Sequence, residues 1–188
     1  MNAGRQAAIQ SMTPALFFLI GASGAGKTAV TKTIEARAIP GVRCYYFDSI
    51  GVPSTSIMER EFGSGESWQA VATAQWVDRL LASGDGAAIA LLEGQTRPSF
   101  IQPALKRARV RHARIVLLDC SPDVRAARLC GARGQPELAT PRMDAWAVYL
   151  RGQADALELP VVDTSRKSLD AVADEIKDHL DSLRADAA

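Results

Sequence analysis

Eight consecutive residues, Gly21-Ala22-Ser23-Gly24-Ala25-Gly26-Lys27-Thr28, combine the groups that grip a chain of phosphates. They fit G-x-x-x-x-G-K-[ST], in which glycines let the backbone curl until successive N–H groups point inward at anionic oxygens. The N-terminus of a following helix adds partial positive charge at the same spot. Lys27 brings a mobile point charge to the β and γ phosphates of a nucleoside triphosphate, and the Thr28 hydroxyl offers a hard oxygen to Mg²⁺. The pattern has meaning only between a buried strand and a helix start. Both are present: Leu16-Phe17-Phe18-Leu19-Ile20 precedes the loop, and a helical pattern runs from about Lys27 to Arg37.

Four further groups of residues could do chemistry beside this loop. Glu93 follows the apolar run 87–92, where its carboxylate can hold a magnesium-bound water or cap the next turn, and Gly94 permits close backbone approach. Asp119, at the end of Ile115-Val116-Leu117-Leu118, competes for the metal role. Asp48 ends the run Cys44-Tyr45-Tyr46-Phe47; it either faces the transferred phosphoryl group or starts a turn with Ser49. Arg125, Arg128, Arg133 and Arg142 form a cluster in which Arg125 and Arg128, three apart, share a helix face. Arg128 and Arg133 are the preferred pair for neutralising charge during transfer, against the alternative of a solvated arginine face.

Alternating elements must position these groups. Strands are expected at 16–20, 44–47, 87–92, 113–118 and 161–162. Helices are expected after each, with Ser121-Pro122-Asp123 and Thr140-Pro141 as start signals and Pro160 as a stop. A helix through Trp68, Trp76 and Leu80 carries an apolar stripe, read as core packing in preference to the wall of a pocket. The alternation predicts an α/β fold: a three-layer α/β/α sandwich around a five-stranded parallel sheet. Residues 1–13 read as a flexible tail and 14–188 as one domain, with an insertion at 49–86 and a lid-like segment at 125–143.

Composition narrows the class. The 188 residues are 47% apolar with a formal charge of +1, enough for one core and without a field that favours nucleic acid or membrane. The apolar run 15–20 is too short to span a bilayer, and Cys44, Cys120 and Cys130 are too few and too scattered for a disulfide framework, so a reducing cytoplasm is expected. The basic run Lys106, Arg107, Arg109, Arg111 and Arg114 has no interleaved aromatic residue and reads as a solvated face.

Guanine-reading GTPases carry N-K-x-D, and the only asparagine in the chain is Asn2, which excludes that motif. The loop together with Glu93-Gly94-Gln95-Thr96-Arg97, which looks like the D-G-x-P-R signature of nucleotide kinases, resembles the small P-loop kinases of the nucleoside monophosphate kinase-like superfamily. That group includes shikimate, gluconate and adenylate kinases and chloramphenicol phosphotransferase. The resemblance implies the P-loop NTPase fold and a kinase that uses ATP and Mg²⁺ to phosphorylate a small-molecule hydroxyl. It implies Asp48 as the group that accepts the hydroxyl proton, Glu93 as the metal-facing acid, residues 125–143 as the lid, and Arg97 as a substrate contact. Glu93 and Thr96 depart from the signature's aspartate and proline, which puts a nucleotide acceptor in doubt. The stretch 49–92 holds only Arg60 and Arg79 against Glu59, Glu61, Glu66, Asp78 and Asp85, which tilts the acceptor toward an uncharged hydroxyl compound, with Arg97 able to hold one anionic group. Two alternatives stay open: a nucleoside monophosphate kinase, and an ATP-binding or ATP-hydrolysing regulatory or nucleic-acid-associated protein.

Overall fold

The structure, a computed structural model, describes residues 13–131 and 133–188. The tail expected over residues 1–13 lies outside them, Thr13 excepted. Five parallel strands, β1 (Ala15–Ile20), β2 (Val42–Tyr46), β3 (Ile89–Gly94), β4 (Ala113–Asp119) and β5 (Val161–Asp163), form one sheet in the order β2-β3-β1-β4-β5. Seven α-helices surround it: α1 (Lys27–Ala36), α2 (Thr55–Phe62), α3 (Gly65–Leu81), α4 (Pro98–Arg107), α5 (Pro122–Cys130), α6 (Pro141–Ala156) and α7 (Leu169–Asp186). This is the α/β/α sandwich that the alternation predicts.

The two faces of β1 show why both layers exist. Phe17 and Leu19 point to one side and join Val30 and Ile34 of α1 and Ile176 and Leu180 of α7. Leu16, Phe18 and Ile20 point to the other, against Trp76 and Leu80 of α3, Ile101 of α4 and Leu150 of α6. A strand buried on both faces reads as a continuous apolar run, because the period-two alternation has no solvent side to mark. Trp68 and Trp76 belong to the second cluster, as their helical stripe predicts.

Two segments depart from the sequence reading. Strand β3 continues through Glu93 and Gly94, because the ladder to β1 persists, pairing Leu19 with Glu93 and Ile20 with Gly94. The insertion contains an extra helix, α2, capped by the Ser54 side chain on the Ile57 N–H. It buries no residue completely; Met58 and Phe62 lean on the core from its inner side.

Because β1 is flanked by β3 on one side and β4 on the other, the chain leaves it in the crevice where the sheet order reverses. That crevice, at the carboxyl ends of the strands, is where open α/β sheets bind ligands. Asp48, the loop 21–28, and the segment 95–97 all emerge there.

Candidate active site

The loop 21–28 joins β1 to α1 with its glycines in conformations that side chains resist. Gly24 and Gly26 have φ of 84° and 101°. A Cβ on Gly21 would stand 2.4 Å from the Leu118 carbonyl oxygen, and one on Gly24 would stand 2.8 Å from Arg125 Cγ. Gly26 is the N-cap of α1 and offers no side-chain acceptor, so the first N–H groups of the helix face the loop without a capping partner. That is the arrangement in which an anion supplies the missing acceptor.

Lys27 is only 7% exposed, and its Nζ donates to the Ala22 carbonyl at 3.2 Å, across the loop's own curl. Burial depresses its pKa, opposed mainly by the Glu93 carboxylate and less by Asp48, while Arg133 pushes in the same direction as burial. Glu93 shows the converse: burial raises its pKa, and the Lys27 charge and the Thr28 hydroxyl counter this. The Thr28 hydroxyl donates to Glu93 Oε1 at 3.0 Å. Glu93, not Asp119, therefore stands beside Thr28. Asp119 is spent elsewhere, accepting from the Cys120 N–H and facing Arg125 and Arg151.

Asp48 lies in a 3₁₀ turn (Phe47–Ile50) directly after β2 and is exposed. Two contacts fix that turn. The Trp76 indole N–H donates to the Phe47 carbonyl at 2.9 Å, and Phe47 itself packs onto Gly94, where a Cβ would fall 2.4 Å from Phe47 Cβ. Gly94→Ala therefore forces the Phe47 turn away from β3; we expect a loss of about 1–3 kcal/mol in chemical denaturation and a fall in turnover beyond what that loss explains.

The arginine cluster separates into different jobs. Arg125 is 3% exposed and turns away from the loop's phosphate side, pairing with Asp144 of α6 at 2.6 Å and donating to the Cys120 carbonyl at 2.9 Å. It ties α5 to α6, and the helix-face argument that grouped it with Arg128 does not extend to shared function. Arg128 donates to the Gly24 carbonyl at 3.3 Å and to the Thr164 hydroxyl and carbonyl at 2.8 Å each. Arg133 is exposed, with its Nε bonded to the Gln135 side chain, and Arg142 lies exposed on α6.

Arg128 and Arg133 border a cleft of about 500 Å³ that runs from Gly24–Val30 to Thr164, Lys167, Leu169 and Val172. Its apolar end combines the half-exposed Leu169 with Val172 at the start of α7, and no sequence motif marks these residues because apolar positions at a helix start resemble ordinary packing. Gln95 is another residue that motif reading passes over: its side chain accepts from the Ser23 hydroxyl at 2.9 Å, linking the loop to the segment after β3. Arg97 projects from the N-cap of α4, with its guanidinium carbon 5.0 Å from the Phe100 ring centre and 4.9 Å from that of Trp146.

No family model matches the chain, and no curated protein matches it in sequence. Solved structures do match. A shikimate kinase from Acinetobacter baumannii in complex with shikimate superposes with a TM-score of 0.59 at 19% identity, over 90% of this chain and 94% of that one. The tunicamycin resistance protein of Deinococcus radiodurans gives 0.63 at 20% identity, over 89% and 95%. A gluconokinase from Sinorhizobium meliloti 1021 gives 0.60 at 19% identity, over 93% and 95%. The chain thus has the fold of these proteins across nearly its whole length.

Proposed function

We propose that the chain is a magnesium-dependent kinase that transfers the γ-phosphoryl group of ATP to a hydroxyl of a small molecule. The observation that carries this reading is the convergence at one end of the sheet of buried Lys27, the Thr28–Glu93 pair and Asp48, each within electrostatic reach of Lys27. Phosphoryl transfer asks chiefly for positioning and charge stabilisation, and these groups supply both.

The donor set fits Mg²⁺. Thr28 and Glu93 are adjacent hard oxygen ligands, and among the described residues there is no cluster of three or more metal-ligating side chains. A partial protein shell completed by phosphate oxygens and water is how Mg²⁺ is usually held beside nucleotides, where it neutralises charge on the phosphates. Lys27, desolvated by burial, gains charge-assisted hydrogen bonds when anionic oxygens arrive, and these oppose the depression of its pKa. The apolar pair Leu169 and Val172 and the guanidinium of Arg128 suit the adenine base. Asp48, exposed after β2 and within charge reach of Lys27, orients the acceptor hydroxyl and receives its proton. Arg133, on the lid-like segment, covers the phosphates as they react.

The insertion speaks against a nucleoside monophosphate acceptor. Arg60 and Arg79 are its two cations, the first beside Glu61 and the second over the Trp76 ring, and neither is bonded to the segment after β3 or to the phosphate loop among the described residues. Within the basic run that would serve a nucleic-acid reading, Arg107 is paired with Asp78 and Arg114 with Asp186, which lowers the local positive charge. No helix among the described residues is long and apolar enough to cross a membrane, and the three free thiols suit a reducing cytoplasm. The deciding experiment is ADP release from Mg-ATP across hydroxylated acids, sugars, nucleosides and antibiotics. Release that depends on one acceptor, with stoichiometric phosphorylated product, supports the kinase; release stimulated only by nucleic acid overturns it.

Glu93 gives a pH signature. Its raised pKa means that the folded, nucleotide-free chain favours the protonated acid; that stabilisation is complete below the ordinary glutamate value of 4.5 and is lost as pH rises through the raised one. Glu93→Gln should therefore raise the thermal midpoint of the nucleotide-free chain at pH 7.5 and leave it nearly unchanged at pH 4. It should also remove the extra stabilisation that Mg²⁺ adds to ATP. Equal shifts at both pH values would contradict this assignment.

A further inference from the structure

Six buried side-chain polar atoms lack a hydrogen-bond partner among the described residues, and four of them gather in three side chains: Gln69 Oε1, Arg97 Nε and Nη1, and Trp146 Nε1. They come from α3, the N-cap of α4, and α6, so no single element explains the cluster. Each orphaned group costs the fold about 1–3 kcal/mol, and native proteins keep such groups mainly where something else satisfies them.

Arg97 and Trp146 are in contact, and Gln69 is bonded two residues before Arg97. The Arg97 guanidinium carbon is 4.9 Å from the Trp146 ring centre and 5.7 Å from that of Tyr149, and Trp146 stacks on Tyr149. Gln69 donates through Nε2 to the Gln95 carbonyl at 2.7 Å, which leaves its oxygen free beside the same segment. That segment meets the phosphate loop through the Ser23–Gln95 bond. The exposed Glu66, one turn before Gln69, places Oε1 3.3 Å from Arg97 Nη1, near enough to balance charge without hydrogen-bond alignment.

We propose that Gln69, Arg97 and Trp146 form the acceptor-recognition subsite, and that the acceptor is a hydroxylated small molecule bearing a carboxylate. Arg97 and the Trp146 indole N–H donate to the carboxylate, while Gln69 Oε1 accepts from an acceptor hydroxyl. One arginine among aromatic rings suits a monoanion; a phosphate monoester would require further cations, and among the described residues no lysine or second arginine is bonded to or stacked in this cluster. Glu66 occupies the anion's place until the acceptor arrives. This inference rests on the kinase reading and deepens it, and the unpaired Arg97 nitrogens decide between the uncharged and anionic acceptors that the acid-rich insertion leaves open.

The test uses the full-length chain with Mg-ATP and matched pairs of probes: gluconate against glucitol, and shikimate against its methyl ester, extended to other hydroxy acids and their neutral counterparts. Turnover is expected for the acid of a pair and not for its neutral partner. With that acid, Arg97→Gln should raise KM about 100-fold and Trp146→Phe, which keeps the ring stacking, about tenfold, with kcat and the KM for ATP nearly unchanged. Glu66→Gln should lower the KM for the acid. A merely structural cluster would instead lower kcat, ATP affinity and thermal midpoint together, which overturns the proposal, as does turnover of neutral partners as good as that of the acids, or of none of the acids. The kinase reading falls separately, only if no compound of either kind draws ADP release.

Discussion

Lys27→Met is expected to reduce phosphoryl transfer by about a thousandfold or more and to weaken ATP binding, while the nucleotide-free chain stays as stable as before. The two halves of this expectation have one cause. Lys27 is buried with one hydrogen bond among the described residues, to the Ala22 carbonyl, and desolvation disfavours its charge there. Its interactions with the fold are poor and its interactions with phosphate oxygens are strong, so removal costs function and spares stability. Methionine keeps the length of the side chain and fills the same space. Steady-state kinetics, nucleotide titration and thermal unfolding of the one variant check all three parts. A large drop in thermal midpoint would show instead that Lys27 serves the fold.

Asp48→Asn should lower kcat by about 100-fold to 10,000-fold with the acceptor saturating and leave ATP affinity within about threefold of the parent. Asp48 is exposed and its side chain makes no hydrogen bond among the described residues; the turn is held by Trp76 on the Phe47 carbonyl, by the Gly51 N–H on the Asp48 carbonyl and by Phe47 against Gly94. Asparagine fits the same turn and lacks only the capacity to take a proton. Loss of ATP binding in this variant would assign Asp48 to the nucleotide and leave the acceptor without a base. Trp76→Phe provides the complementary control: it removes the indole N–H that fixes the turn, and should lower kcat by a smaller factor, about tenfold, by loosening the aim of a carboxylate that is still present.

The sheet and the phosphate-binding loop were legible in the amino-acid sequence because both depend on local rules. Strands β1, β3 and β4 are buried on both faces and read as unbroken apolar runs, and the loop's glycines stand where only positive φ or close backbone approach will serve. The caps at Ser121 and Thr140 likewise accept from the N–H groups three residues on, as their spacing predicts. What escaped was information held between distant segments. Whether Glu93 or Asp119 met Thr28 depended on which strand lies beside β1 on which side and where its carboxylate is already engaged. Arg125 and Arg128 share a helix face, yet one is claimed by Asp144 on α6 and the other by Thr164 beyond β5. Trp146 carries no motif and gains meaning only through Arg97, nearly fifty positions away, and Gln69 only through the segment after β3. Helix α2 escaped for a different reason: at 8 residues between glycine-bearing loops it is shorter than the window over which a helical repeat can be read.

The bond from the Trp76 indole to the Phe47 carbonyl has a consequence for how this kind of enzyme can diversify. It fastens the turn bearing Asp48 to α3 at Trp76, while Glu66 and Gln69, on the first turns of the same helix, meet Arg97 and the segment after β3. On the proposed reading the helix separates two tasks along its length: its middle holds the proton acceptor in register with the phosphate loop, and its first turns select the molecule. Substitutions at 66 and 69 are then expected to exchange one acceptor for another while the reacting geometry stays as it is, so that a new substrate is acquired without rebuilding the chemistry.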